Sequence, residues 1–286
     1  MNIIAKRFKL IQKYGSGQFG SVCKAQCIKT NKMYAVKLEH LSCEFRILKH
    51  ESTILHYLNT QKCCNIPYIY YYGNQSPYIC MVISFYDYSL KQEKSTMSLN
   101  DKIKWWNTAI TCIEKIHKSG IVHRDLKPEH FMRSISSGGE WNLIDFGLST
   151  SYLVNGDHID DTLKNNIIGT PNYASYYVLQ GHDVVRRDDF ISLFYIFLDI
   201  LCDNILNIDL YKCIDEEFCE PTCIDFPYNK WLSLQREWSN VYQKLEIDEK
   251  IKKLVIYDYL LAITMHCERL GFYDKPNYSN FLINCI

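Results

Sequence analysis

The sequence predicts an α+β chain in two parts: an N-terminal β-sheet part with one main helix, then a larger, mainly α-helical part. Alternating and apolar runs bounded by turns fill residues 8–39 and 66–85, which indicates strands. Residues 42–59, between them, have apolar side chains at helical spacing, Phe45 included. Beyond residue 86 the strands give way to predicted helices at 99–118, 188–202, 229–245 and 249–270.

The first strands enclose a glycine-rich stretch, "YGSGQFGSV", with Gly15, Gly17, Gly20 and Val22. Glycines allow a turn to bring backbone N–H groups close to phosphates without a Cβ in the way. The pattern G-x-G-x-x-G alone is weak, because tight hairpins and dinucleotide sites also use it. Here a strand follows the glycines rather than a helix, which argues against a dinucleotide site.

A lysine, Lys37 in "AVKLE", follows on the next strand. Taken alone it is a solvated strand lysine. With the glycine-rich stretch before it, we expect its ammonium to contact ATP phosphates while a helical carboxylate holds it in place. Glu51 is the preferred partner because it lies centrally in the predicted helix, and Glu44, at the start of that helix, is the alternative.

Two further stretches carry chemistry: "IVHRDLKPEHF" with Asp125 and Lys127, and "LIDFGLS" with Asp145. Asp125 would accept the proton of an attacking hydroxyl, and Lys127 would neutralise charge on the transferred phosphoryl group. The Asp145 carboxylate offers the hard oxygens that Mg²⁺ prefers. Each motif is short, but chance does not account for the ordered set.

Together these motifs resemble a eukaryotic protein kinase, and within that superfamily the chain is similar to the casein kinase 1 family. The similarity to the casein kinase 1 family depends on four stretches: "HESTILHYL" after the strand lysine, "GTPNYAS" with no A-P-E after it, "RRDDFISL", and the closing "FYDKPNYSNF". The resemblance covers essentially the whole chain. It implies a bilobal fold and the transfer of the γ-phosphoryl group of ATP to protein side chains. Lys127, two residues after Asp125, suggests Ser/Thr acceptors.

The resemblance implies further roles. Asp189 should support the catalytic loop by accepting hydrogen bonds from its backbone, and as a carboxylate at a helix N-terminus it would also be favoured by the helix dipole. Ile83 would be the gatekeeper, and the backbone of Phe85 and Tyr86 would bind adenine. The full set of expected ATP-binding residues is Gly15, Ser16, Gly17, Gln18, Phe19, Gly20, Val22, Ala35, Lys37, Glu51, Ile83, Phe85 and Tyr86.

His130 departs from the kinase pattern, because it stands where an asparagine normally binds the second Mg²⁺. Imidazole is a poor ligand for Mg²⁺ and a better one for transition metals. Two interpretations follow. Either Asp145 still holds one Mg²⁺, and His130 contacts phosphate or water or accepts Mn²⁺, or the chain is a pseudokinase that binds nucleotide and acts as a scaffold. The survival of Lys37, Glu51 and Asp125 favours an active enzyme.

Two departures concern substrates and partners. Asn172 stands where the casein kinase 1 family has an arginine, and Thr150 where it has a lysine, so we expect little dependence on an already phosphorylated site. The segment 202–225 looks like an acidic insertion with seven acidic residues, one lysine and four cysteines. Its cysteines lack the paired C-x₂-C spacing of structural zinc sites, which favours a solvated acidic loop over a metal site.

Composition limits the remaining possibilities. The 286 residues are expected to form a single kinase domain over 1–286, with an N-lobe at about 1–85, a hinge at about 84–88 and a C-lobe at about 89–286. Because Lys+Arg and Asp+Glu are both 32, no overall charge favours nucleic acid or an anionic membrane. Thirteen cysteines, several in apolar runs, and no signal peptide indicate a cytoplasmic and/or nuclear protein. We expect a monomer that acts on protein substrates.

Overall fold

An antiparallel sheet of six strands forms the N-terminal part of the chain. In this computed structural model, which describes residues 3–17, 20–134, 139–164, 167–202, 238–247 and 249–284, the strand order is β1-β2-β3-β4-β6-β5. Every neighbouring pair is antiparallel. The strands are β1 (Ile3–Ile4), β2 (Phe8–Gly17), β3 (Gly20–Cys27), β4 (Met33–His40), β5 (Ile69–Gln75) and β6 (Tyr78–Ser84).

Alternation of buried and more accessible side chains explains these strands. On β3, Cys23, Ala25 and Cys27 are buried, and on β4 the buried residues include Tyr34 and Val36. Successive side chains of a strand point to opposite faces, so this period of two gives the sheet one apolar face. The buried side chains form one cluster with Phe8 and residues of β6.

Helix α1 (Ile47–Thr60) is the main helix of this part. It begins later than the sequence predicted, and Phe45, expected on its apolar face, is 70% exposed. The Glu39 carboxylate explains the later start, because it accepts a hydrogen bond from the Leu48 backbone N–H at 2.8 Å. A free N–H in the first turn of a helix needs such a partner, and β4 supplies it here.

The chain forms two compact units. The first unit comprises residues 1–92 and 129–149, and the second comprises residues 93–128 and 150–286. The first unit also contains a three-stranded sheet in the order β10-β9-β7, built from β7 (Tyr88–Ser89), β9 (Phe131–Arg133) and β10 (Trp141–Leu143). A short helix, α2 (Leu90–Glu93), spans the boundary between residues 92 and 93.

The second unit is mainly helical over its described residues. Its longer helices are α3 (Leu99–Lys118), α5 (Arg186–Leu201), α6 (Trp238–Ile247) and α8 (Tyr257–Arg269), and the short ones are α4 (Tyr176–Leu179) and α7 (Glu249–Lys252). Two small strand pairs join β8 (Ile121–Val122) to β11 (Thr150–Ser151) and β12 (Leu153–Val154) to β13 (Asp157–His158).

The single helix predicted for 249–270 is wrong, because a turn separates α7 from α8. The reason lies in the spacing of the buried residues. Ile251 and Ile256 are both buried, but five positions do not bring two side chains to the same face of one helix. The turn places both in the core. Of the helix predicted at 229–245, only the part after residue 237 lies within the described residues.

The core of the second unit is built around α5, which is buried along most of its length. A helix that is apolar on nearly all sides belongs in a protein interior. Trp106 of α3 stacks on Phe197 of α5 with ring centroids 4.6 Å apart, and its indole N–H donates to the Phe281 carbonyl at 2.8 Å. Within the described residues, no helix has the length and apolar character needed to cross a bilayer.

We predict that Trp106→Ala lowers the free energy of unfolding by about 3–5 kcal/mol, because it leaves a cavity against Phe197 and an unpaired Phe281 carbonyl. Urea unfolding followed by circular dichroism measures the change. Val255→Ala, at a side chain that is 76% exposed, is the matched control and should stay within about 0.5 kcal/mol of wild type. A Trp106→Ala loss as small as that of the control would contradict this description of the core.

Candidate active site

The glycine-rich stretch forms the end of the β2–β3 hairpin. The strands pair Gly15 with Val22, Ser16 with Ser21, and Gly17 with Gly20. Gly20 has φ +141°, and a Cβ there would lie 2.1 Å from the carbonyl oxygen of Leu38 on β4. Only glycine permits that approach. Gln18 and Phe19, expected at the tip, lie outside the described residues.

Lys37 on β4 pairs with Glu51 rather than with Glu44. The Lys37 ammonium lies 2.7 and 2.9 Å from the two carboxylate oxygens of Glu51, which is buried on α1. Glu44 precedes the first residue of α1 and is exposed. Two charge-assisted hydrogen bonds to one carboxylate hold the lysine side chain in a single orientation.

Asp145 completes a three-charge group within the first unit. One of its oxygens lies 3.2 Å from the Lys37 ammonium. Burial favours a lower pKa for Lys37, but the carboxylates of Glu51 and Asp145 outweigh that effect and raise the pKa above its usual value. Burial raises the pKa of Glu51, and the Lys37 ammonium opposes the rise. Lys37 is therefore a fixed cation at neutral pH.

The Asp145 side chain is 44% exposed, in contrast to the buried Glu51. Its backbone has φ +66°, a left-handed conformation that costs a non-glycine residue free energy. Strained backbone of this kind is concentrated at functional sites. An accessible carboxylate with hard oxygens fits a divalent cation such as Mg²⁺.

His130 lies next to Asp145. It ends a 3₁₀ turn, Pro128–His130, and its Nε2 is 3.4 Å from a carboxylate oxygen of Asp145. The side chain is buried, and its backbone carbonyl accepts a hydrogen bond from the Ile144 N–H at 2.8 Å. The position expected to complete a metal site thus adjoins the carboxylate, but it presents imidazole nitrogen rather than amide oxygen. Nitrogen fits Mn²⁺ better than Mg²⁺.

The expected adenine-binding residues lie at the end of β6. Ile83 is buried and pairs with Ala35 on β4. Phe85 follows the strand, and its ring contacts the ring of Tyr14 with centroids 6.1 Å apart and the Lys24 ammonium at 4.4 Å. Tyr86 is half-buried.

In the second unit, Asp125 is held by two donors. Lys127 donates to one carboxylate oxygen at 2.8 Å, and the Thr170 hydroxyl donates to the other at 2.6 Å. Lys127 also donates to the Thr170 hydroxyl at 3.1 Å. A carboxylate held in this way beside a cation can orient a hydroxyl and accept its proton. The sequence interpretation missed Thr170, although it stands beside a glycine in the quoted "GTPNYAS".

Gly169 explains how Thr170 reaches Asp125. A Cβ at Gly169 would lie 2.3 Å from the Arg124 carbonyl oxygen, and Gly169 has φ +100°. Beyond Thr170, Tyr173 donates to Asp199 of α5 at 3.1 Å, and Lys94 donates to the same carboxylate. Asn172, between these contacts, is exposed.

Asp189 supports the loop that carries Asp125. Its carboxylate accepts hydrogen bonds from the backbone N–H groups of His123 at 2.6 Å and Arg124 at 3.0 Å. It also accepts one from the His117 ring at 3.0 Å. Burial by itself would raise the pKa of Asp189, but these hydrogen bonds keep it below its usual value. The carboxylate is therefore charged, and it holds Arg124 at φ +70°.

The acidic segment predicted at 202–225 lies outside the described residues apart from Cys202. The structure therefore does not address its cysteines as metal ligands. In the rest of the chain, over the part that the structure describes, no group of three or more His, Cys, Asp or Glu side chains is arranged to hold a metal ion by itself. Asp145 and His130 would need ligands from a bound substrate or from water.

Each unit thus contributes a distinct chemical capability. The first presents a fixed cation between two carboxylates, and the second presents a carboxylate flanked by a cation and a hydroxyl. The sequence matches the protein kinase domain family over residues 8–259, which include both groups. This family consists of phosphotransferases that use ATP and a divalent metal and act on proteins. The chain belongs to the protein kinase family.

Proposed function

We propose that this protein is an active serine/threonine kinase of the casein kinase 1 type that transfers the γ-phosphoryl group of ATP to protein substrates. The observation that carries the proposal is the ion-pair group of Lys37 with Glu51 and Asp145. A lysine held between two carboxylates matches what positioning of ATP phosphates requires. A scaffold that only bound partners would have no use for this arrangement.

The residues of the first unit would bind the nucleotide. Lys37 would contact the phosphates, and the backbone of the Gly15–Gly20 hairpin would approach them. Asp145, with His130 beside it, would hold the divalent metal, which when bound neutralises charge on the phosphates. Ile83, Phe85 and Tyr86 would contact adenine.

The residues of the second unit would act on the acceptor. Asp125 would orient the attacking hydroxyl and accept its proton, and Lys127 would neutralise charge as the phosphoryl group moves. The Thr170 contact holds both side chains in place. The position of Lys127, two residues after Asp125, supports Ser/Thr as acceptors, as the resemblance to Ser/Thr kinases implies.

The proposed family rests on "GTPNYAS", "RRDDFISL" and "FYDKPNYSNF". The second motif begins helix α5, the first bonds to Asp125 through Thr170, and the third contacts α5 through Tyr278. Ser175, the last residue of the first motif, is buried and hydrogen-bonds to Asp188 of the second. Arg186 of the second donates to the Tyr273 carbonyl of the third at 2.7 Å. The three motifs thus form one connected structure. We place a single kinase domain over 1–286 and propose a monomer.

We predict that Asp125→Asn lowers kcat for phosphoryl transfer from labelled ATP to casein by about 10²–10⁴-fold, because the amide cannot accept the hydroxyl proton. The affinity for ATP should be unchanged, since Asp125 acts on the acceptor. Asp157→Asn, at an exposed carboxylate of the β12–β13 hairpin, is the control and should keep wild-type activity. If wild type and Asp125→Asn are equally inactive while both bind ATP, the chain is a nucleotide-binding scaffold.

We predict that His130→Asn shifts metal preference toward Mg²⁺, because it replaces an imidazole nitrogen by an amide oxygen beside Asp145. The expected rise in apparent Mg²⁺ affinity is on the order of tenfold. Initial rates measured across Mg²⁺ and Mn²⁺ concentrations give the ratio. His56→Asn, at an exposed position of α1, is the matched control. An unchanged Mg²⁺/Mn²⁺ ratio in His130→Asn would remove His130 from the metal site.

We predict that wild type phosphorylates a primed and an unprimed casein-type peptide with similar kcat/KM, because neutral Asn172 offers no charge-assisted grip on a phosphate. Asn172→Arg should create a preference for the primed peptide of about tenfold. Asn172→Gln is the neutral control, and the exposed position accommodates either side chain. A strong primed preference in wild type would contradict the prediction.

A further inference from the structure

His117, near the end of α3, lies in the interior of the second unit and uses both ring nitrogens. Its Nε2 is 3.0 Å from a carboxylate oxygen of Asp189. Its Nδ1 is within hydrogen-bonding distance of the hydroxyl of Tyr278, which comes from the C-terminal "KPNY". His117 and Tyr278 are each 2% exposed, so bulk water does not replace either contact.

Counting donors and acceptors determines where the protons are. Asp189 is an anionic acceptor that already receives two backbone N–H groups, so the His117 Nε2 that faces it must carry a proton. Nδ1 then either accepts from Tyr278 or, in an imidazolium ring, donates to it. Among the described residues, the His117 ring is the hydrogen-bond partner of the Tyr278 hydroxyl.

The imidazolium form is the less favourable of the two. If Nδ1 donated to the Tyr278 oxygen, the hydroxyl proton would face the buried interior of the second unit without an acceptor among the described residues. A buried donor without a partner is costly. In the neutral form with the proton on Nε2, Tyr278 donates to Nδ1 and His117 donates to Asp189, so both of these donors have an acceptor.

We propose that Tyr278 is a positioning residue for phosphoryl transfer. Its hydroxyl donates to Nδ1 and so fixes the orientation of the His117 ring, and through His117 it holds Asp189 and the backbone of His123 and Arg124. That backbone leads directly to Asp125. The kinetic part of this proposal rests on the proposed function, whereas the tautomer of His117 is independent of any activity.

Removing the Tyr278 hydroxyl leaves the Nδ1 lone pair without its donor, while the proton stays on Nε2 because the Asp189 carboxylate attracts it. The His117 ring is then held from one side only, so its hydrogen bond to Asp189 is less well aligned and the loop on that carboxylate is held less tightly. The expected effect is a fall in kcat of about tenfold with an unchanged KM for ATP, because Asp125 acts on the acceptor.

Tyr152 supplies a matched control. Its hydroxyl is also buried and also bonds to His117, but it donates to the backbone carbonyl at 2.8 Å rather than to the ring. Tyr152→Phe therefore removes a buried hydroxyl that also bonds to His117 but leaves both ring nitrogens with their partners. A general loss of packing would lower kcat similarly in both variants, whereas loss of the contact to the ring affects Tyr278→Phe alone.

The experiment uses the full chain labelled with ¹⁵N at its nine histidines. The His117 signals are assigned by their loss in His117→Gln. In wild type we expect one protonated nitrogen and one unprotonated nitrogen, with the proton on Nε2. Tyr278→Phe should keep the proton on Nε2 and shift the signal of Nδ1, which loses its hydrogen-bond donor, and Tyr152→Phe should leave both signals unchanged. An imidazolium or Nδ1–H ring in wild type overturns the proposal, whether or not Tyr278→Phe folds.

The kinetic measurement gives kcat and KM for ATP with casein as acceptor, and it is made on wild type, Tyr278→Phe and Tyr152→Phe. A fall in kcat confined to Tyr278→Phe supports the positioning role. Equal kcat in Tyr278→Phe and wild type, or an equal fall in Tyr152→Phe, overturns it. An inactive wild type would overturn the proposed function instead, and the ¹⁵N signals would still decide whether Tyr278 donates to the His117 ring.

Discussion

The second unit depends on the hydrogen bonds that the buried carboxylate of Asp189 accepts. An isolated charge in a protein interior is very unfavourable, so the native arrangement must supply hydrogen-bond donors to it. Two of these donors are backbone N–H groups of the catalytic loop, which means that stabilising the charge also imposes the loop conformation. The left-handed φ of Arg124 persists because this carboxylate requires it. Helix α5 provides a rigid base for it within the aromatic core.

In the first unit the held charge is a cation, Lys37, and its partners are carboxylates. These partners differ in exposure, since Glu51 is buried and Asp145 is 44% exposed. The buried partner fixes the lysine, and the accessible one remains able to exchange its contact for a metal ion. An arrangement built before the substrate arrives avoids reorganisation during the reaction, and such preorganisation is the largest contribution in phosphoryl transfer.

The sequence predicted the features that depend on local pattern, and missed those that arise from tertiary contact. Strand alternation and the central position of Glu51 in its helix led to the sheet and to the partner of Lys37. The start of α1 could not be read locally, because Glu39 on a preceding strand caps it. Thr170 and His117 acquire their roles only when the fold brings distant segments to Asp125 and Asp189, and an isolated histidine in a helix carries no such signal.

His130 replaces the expected asparagine in a site that otherwise keeps the buried charges and the strained backbone that destabilise the fold. Glu51 and Asp189 are buried charges, and replacing buried ionic groups by apolar residues often stabilises a protein. Without use for catalysis, their cost and the backbone strain at Asp145 would bring no benefit. The imidazole is buried beside Asp145, so the position still adjoins the carboxylate proposed to bind the metal. On that proposal the change alters the ligand offered to the ion, while the residues proposed to position the phosphates and the acceptor stay in place.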